Sequence, residues 1–206
     1  MGHGVFDKYK NLPAHEVLID PLLFSSQLIR VRNQLQKADM AKALLSKVLV
    51  YRGQPSSEHD PKPYARNQAQ QARWQRDPRV IVEMRPLKYT YVYDGNGKKV
   101  CDANGRLIVK GKQEKGIDVL CALALVREAR SPGVDLVILA SQDTDLEPAL
   151  DEALSQYRAK VETFCWFNSK SPGMSRQLRP INGRTIWNTR LREEHFQRCW
   201  DLTDYQ

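Results

Sequence analysis

Two aspartates, Asp143 and Asp145, stand two positions apart in ASQDTDLEPAL, residues 140 to 150, where the apolar run DLVILA ends. Carboxylates this close repel each other unless something offsets their charge. A helix start is one such offset. Thr144 with Glu147 matches a capping box, and Asp145 could itself cap a helix with Pro148 in its first turn. A hard cation is the other: Mg²⁺ or Mn²⁺ takes oxygen ligands and keeps several waters, so one ion would relieve both acids. A single cap accounts for a single acid, which favours the metal. A second acid-bearing helix start lies upstream in QEKGIDVLCALALV, with Glu114 and Asp118. The helix macrodipole alone favours Asp118 there. Taken together, the two stretches could place Asp118, Asp143 and Asp145 around one point.

The elements that would position these acids are legible from pattern. Phe24, Leu28, Val31 and Leu35 recur at helical spacing behind Pro21, which predicts a helix from about residue 21. KVLVYRG, residues 47 to 53, reads as a buried strand closed by glycine. QPSSEHDPKP reads as a loop, PYARNQAQQARWQR as a helix with Pro63 near its start, and RVIVEMRP as a second strand stopped by Pro86. Residues 88 to 112 alternate tyrosines (Tyr89, Tyr91, Tyr93) and break at DGNG and ANG, the chemistry of hairpin turns, so they are expected to form a protruding β-arm. Beyond the arm, GIDVLCALALVREAR predicts a helix and DLVILAS a strand. LEPALDEALSQY predicts a helix with Leu146, Ala149, Leu150, Ala153, Leu154 and Tyr157 on one face, and KVETFCWF another strand. IWNTRLREEHFQRCW is expected to be a terminal helix. Strands alternating with helices imply a mainly parallel sheet, at whose carboxyl ends ligands collect. No internal repeat is read.

Composition limits the partners. The chain has 206 residues, 41% of them hydrophobic, enough for one core, and is read as one domain, 1–206, with residues 88–112 inserted. No apolar run approaches the roughly 18 residues of a membrane span, and MGHGVFDKYK lacks an apolar signal core, so a cytoplasmic protein without a membrane partner is expected. Four scattered cysteines and four scattered histidines signal neither zinc nor a disulfide framework. Against 24 acids stand 32 Lys and Arg, a net charge of +8, which favours polyanions if the basic groups share a face. The alternative is ordinary solvated helix faces.

EKGIDVLCALALV, DLVILASQDTDLEPALDEA and KVETFCW together resemble the core of the NYN domain, a branch of the PIN-like nucleases. Members of that family carry an EKxxD helix start, filled here by Glu114, Lys115 and Asp118, and an SxDxD strand end, filled by Ser141, Asp143 and Asp145. More loosely, the resemblance extends over most of the chain. It implies a three-layer α/β/α fold, PIN-like and Rossmann-like, with a mainly parallel central sheet and an inserted β-hairpin arm. It also implies a ribonuclease that uses Mg²⁺ or Mn²⁺ and leaves 5′-phosphate and 3′-hydroxyl ends. In that scheme Asp118, Asp143 and Asp145 hold the ion directly or through water. Ser141 and Glu114 support the pocket, and Lys115, Lys112, Arg176 and Arg179 contact RNA. A second copy of the chain, in a homodimer, is the other partner considered.

One family feature is absent: a first strand ending in an aspartate, as in DGxN. Either MGHGVFDKYKNL follows a strand that this chain lacks, or EVLID is the first strand and Asp20 the remaining ligand. Asp20 before Pro21 is also a natural N-cap and first-turn pair, the preferred reading. With a degenerate acidic site, the same fold would serve as a nucleic-acid-binding module, its tyrosines stacking on bases. DTD as the motif of a sugar-nucleotide transferase or a haloacid-dehalogenase-type phosphatase ranks lower, because little chain follows it and EKxxD would have no task.

Overall fold

The computed structural model describes residues 5, 6, 8, 9, 11, 12, 17–155 and 158–205. Helix α1, Pro21–Leu35, buries Phe24, Leu28 and Val31 on one stripe, as their spacing predicts. Strand β1, Val48–Gln54, is followed by α2, Pro61–Trp74, which starts two residues before Pro63, inside the segment expected to be loop. Strand β2, Val80–Pro86, then pairs in parallel with β1, from Val48 opposite Val80 to Gln54 opposite Pro86. Parallel neighbours need such a crossover, and α2 supplies it.

The chain then turns to antiparallel pairing. Strand β3, Lys88–Tyr91, lies against β4, Val109–Gln113, with Tyr89 opposite Lys112. Between them are two tight turns of the same construction. Asp94 accepts from the amides of Asn96 and Lys98, and Asp102 from those of Asn104 and Arg106. Gly97 and Gly105 supply the positive φ angles, 76° and 74°. The two turns thus form a short structural repeat that sequence reading does not find. Apart from Val100, everything from Tyr93 to Arg106 is exposed.

Helix α3, Ile117–Arg130, leads through a short connection to β5, Leu136–Leu139. A 3-10 turn, Thr144–Leu146, opens directly into α4, Glu147–Ser155. Tyr157, expected on the apolar face of α4, lies outside the described residues. Strand β6, Lys160–Trp166, is buried continuously from Val161 onward, as befits a strand with parallel neighbours on both edges.

The last expected element is corrected. The segment read as one terminal helix begins as strand β7, Asn188–Leu191, and only then forms a short helix α5, Glu193–Gln197. The apolar β6 edge recruits it in parallel, Thr163 opposite Asn188 through Trp166 opposite Leu191. Thr189 and Leu191 are fully buried by that pairing, a gain that outweighs the helix-forming residues around them.

The result is a mixed α/β fold with two parallel ladders, β1-β2 and β5-β6-β7, and no ladder joins β1 to β5 among the described residues. Helix α3 packs against both β1 and β5, and α1 against β1 and β7. An aromatic cluster under α1 contains Phe6, Phe24, Phe164, Trp166 and Phe196, with ring centroids 5.0 Å apart for Phe24 and Phe164. A second cluster, aliphatic, joins α3, α4 and β6 through Leu125, Leu146, Leu150 and Val161. Among the described residues no helix is long and apolar enough to cross a membrane.

Candidate functional site

Helix α3 and β5 are joined by only residues 131–135, so α3 runs back against β5 and its first turn lies toward the end where β5 finishes. The ion pair of Lys47, just before β1, with Glu128, near the end of α3, spans 2.8 Å. The bond from the Gly53 amide to Glu114 Oε1, ahead of α3, spans 2.9 Å. These two ties set β1 antiparallel to α3 as well. The carboxyl ends of β1 and β5 therefore share one end of the molecule with the start of α3. The 3-10 turn packs directly on α3, and Leu146 shares an apolar cluster with Cys121, Ala122 and Leu125.

Asp118 occupies the first turn of α3 and is exposed. It is close enough to Cys121 that its charge, after burial, helps push that thiol up to about 11. Asp143 and Asp145 are exposed at the turn after β5. Neither expected cap forms. Asp143, rather than Thr144 or Asp145, is the cap: its Oδ1 accepts from the Asp145 amide at 3.0 Å. Glu147, assigned to the capping box, instead accepts from the backbone amide of Arg179 at 3.1 Å. Ser141 Oγ accepts from the Asp143 amide at 3.1 Å, a local bond at the start of this turn.

The basic segment after β6 is fastened to the same turn. Gln142 Nε2 donates to the Arg176 carbonyl at 3.4 Å, and the Arg179 amide reaches Glu147. Arg176 and Arg179, both exposed, thus flank the acids on a strap of backbone. Lys115 is exposed between β4 and α3. Other basic groups are already engaged: Arg79 with Asp77 at 2.8 Å and Lys112 with Asp60 at 3.0 Å.

Asp20 forms the cap that its place before Pro21 predicts. Its Oδ1 accepts from the amides of Leu22 and Leu23 at 2.8 and 2.9 Å, capping α1. The described part of EVLID makes a single antiparallel bridge, Ile19 with Trp200, rather than a strand of a parallel ladder. Glu16 lies outside the described residues.

A divalent cation fits the donor chemistry of Asp118, Asp143 and Asp145. Among the described residues, however, no group of three or more His, Cys, Asp or Glu side chains is set close enough to hold one. Magnesium is commonly bound by one or two carboxylates together with waters and substrate phosphates, so a preformed three-acid cage is not required.

Sequence reasoning missed His59 and Asp60, which it assigned to a loop. The rings of Tyr89 and Tyr91 lie 4.9 and 5.5 Å from that of His59, and Tyr91 Oη meets His59 Nε2 at 3.0 Å. Tyr89 donates to Asp60 at 2.6 Å. That bond first, and the contact with Lys112 second, hold the Asp60 carboxyl below the usual carboxylate range. Strand alternation puts Tyr89 and Tyr91 on one face, but no local signal brings His59 to it.

No family model, curated protein or solved structure matches the chain.

Proposed function

We propose that this chain is a PIN-like, NYN-type ribonuclease that hydrolyses RNA phosphodiester bonds with a divalent cation. The observation that supports it is the strapping of the Arg176–Arg179 segment onto the turn that carries Asp143 and Asp145, beside the α3 start that carries Asp118. Acids for a cation and basic groups for a phosphate chain then occupy one end of one molecule. On this reading the two parallel ladders are halves of a single three-layer α/β/α core, and residues 88–112 form an arm beside its active end.

Asp118 and Asp145 present carboxylates without hydrogen-bond partners among the described residues, and Asp143 keeps one oxygen in the cap. Glu114, held by Gly53, positions the lead into α3. Arg176, Arg179 and Lys115 bind and orient the RNA backbone. A bound cation would supply a more acidic water and charge stabilisation at the phosphoryl oxygens.

Incubating single-stranded and structured RNA with the protein and Mn²⁺ tests the reading. Cutting should leave 5′-phosphate and 3′-hydroxyl ends and fall in Asp118→Asn, Asp143→Asn and Asp145→Asn. Equal cutting by Asp143→Asn and the unmutated chain would expose a contaminant or a wrong site. The second reading, a nucleic-acid-binding module with a weakened acidic site, is favoured by the cap, which occupies one Asp143 oxygen. RNA binding without cutting at any Mn²⁺ concentration would select it.

A further inference from the structure

At the root of the arm a hollow of about 170 Å³ lies between the turn at His59 and Asp60 and the face of β3–β4 that carries Tyr89, Lys110 and Lys112. It is smaller than the roughly 300–1,000 Å³ of ordinary small-molecule pockets, so it suits one group of a longer chain. Its charge is positive. Lys112 is neutralised by Asp60, contacting both carboxyl oxygens at 3.0 Å, whereas Lys110 is exposed and has no partner among the described residues. Lys99 adds a further cation nearby, 4.3 Å from the Tyr91 ring centroid.

The walls are braced rather than loose. Tyr89 is fixed at its hydroxyl by Asp60 and by the Ser56 amide, which donates to it at 2.9 Å. The His59 ring is wedged between Tyr89 and Tyr91. These two tyrosines therefore have their rings occupied by the protein; the exposed ring on the arm is Tyr93, 56% accessible. Base stacking is not what Tyr89 and Tyr91 are arranged for. They hold the His59 ring, and Tyr89 holds the Asp60 carboxylate that Lys112 meets, at the edge of a small basic hollow.

We propose that this hollow is a phosphate subsite for single-stranded RNA, with Lys110 as its principal cation, Lys112 and His59 as its walls, and Tyr89 as the brace. The proposal rests on the reading of RNA as the partner. β4 leads through residues 114–116 into α3, so Lys112 and Asp118 are separated by at most about 20 Å of extended chain. A strand gripped at the hollow would reach the acidic end within a few nucleotides. Lys110 touches the chain's backbone charge and not its bases, so its contribution is independent of base sequence.

The test is fluorescence anisotropy with a fluorescein-labelled twelve-nucleotide oligouridylate in EDTA, over a series of salt concentrations, so that binding is read apart from cutting. Lys110→Ala should weaken binding, and to the same extent for an oligoadenylate, and should lower the magnitude of the salt slope by about 0.7, one phosphate's share for a single strand. Lys110→Arg should restore both. Identical affinity and slope for Lys110→Ala and the unmutated chain overturns the subsite while leaving the ribonuclease standing. Loss of binding in Lys110→Ala, in a chain that cuts no RNA with Mn²⁺, keeps the subsite and removes the ribonuclease. An unmutated chain that does not bind the oligonucleotide overturns the subsite, and cutting with Mn²⁺ then decides the ribonuclease separately.

Discussion

The Gly53 amide, at the end of β1, donates to Glu114 Oε1 at 2.9 Å, joining residues 61 positions apart. A Cβ at Gly53 would stand 2.4 Å from Leu87 Cδ2, 2.6 Å from Glu114 Oε1 and 2.8 Å from Glu114 Cγ. A methyl there would force the Leu87 and Glu114 side chains to shift. The contact pins the segment that enters α3, and with it Asp118, to the carboxyl end of β1.

Gly53→Ala is accordingly expected to cost about 1–3 kcal/mol, the usual range for overpacking. Glu114→Ala should cost a similar about 1–3 kcal/mol by leaving the buried Gly53 donor unpaired. Urea denaturation measures both. In an RNA-cutting assay each should also lower the rate, because the α3 start loses its anchor; unchanged stability in both variants would contradict the contact.

Arg32 of α1 and Glu162 of β6 form a two-pronged pair, Nε to Oε2 at 2.9 Å and Nη2 to Oε1 at 2.8 Å, with each side chain 5% exposed. Removing one partner strands a buried charge, so Arg32→Met or Glu162→Leu alone should cost about 3–5 kcal/mol. The double variant should recover most of that loss. Chemical denaturation of all four proteins closes the cycle, and simple additivity would refute coupling.

The cap made by Asp143 and its proposed part in a cation site separate by measurement. Asp143→Ala should lose about 1 kcal/mol of stability with the cap. Asp118→Asn and Asp145→Asn, at exposed carboxylates that cap nothing, should stay within about 0.5 kcal/mol of the parent. All three should cut RNA at least about tenfold more slowly if they serve the cation. Full activity in Asp118→Asn and Asp145→Asn would remove these acids from the site.

Alkaline pH should destabilise the fold. Burial, followed by the Asp20 charge, pushes the Cys199 thiol up to about 12, and burial with the Asp118 charge pushes Cys121 up to about 11, from an ordinary 9.0. Burial and the bond to Asp201 push the Tyr205 phenol up to about 12 from 10.0. Folded values above unfolded ones mean that this stability is complete below pH 9 and is lost as pH rises from 9 through 11 to 12. Thermal melts across that window should show the fall, and Cys199→Ala should reduce it. Ellman's reagent at neutral pH should label exposed Cys101 well before buried Cys199.

Local pattern was enough for much of this protein. The spacing of Phe24, Leu28 and Val31, the β-branched runs of β1, β2, β5 and β6, and the turn chemistry at Gly97 and Gly105 each report a local constraint that any tertiary setting must respect. The acids at the start of α3 and after β5 were visible for the same reason, since strand ends and helix starts are written locally. Tertiary structure alone decided which partner each group meets. Asn188–Leu191 is a strand only because the β6 edge is there to pair with it. Glu114 meets Gly53, Tyr89 meets Asp60, and the Arg176–Arg179 strap meets Gln142 and Glu147 across intervals that no periodicity spans. Periodicity records which side of an element faces inward, whereas these contacts depend on what the rest of the chain brings to that side.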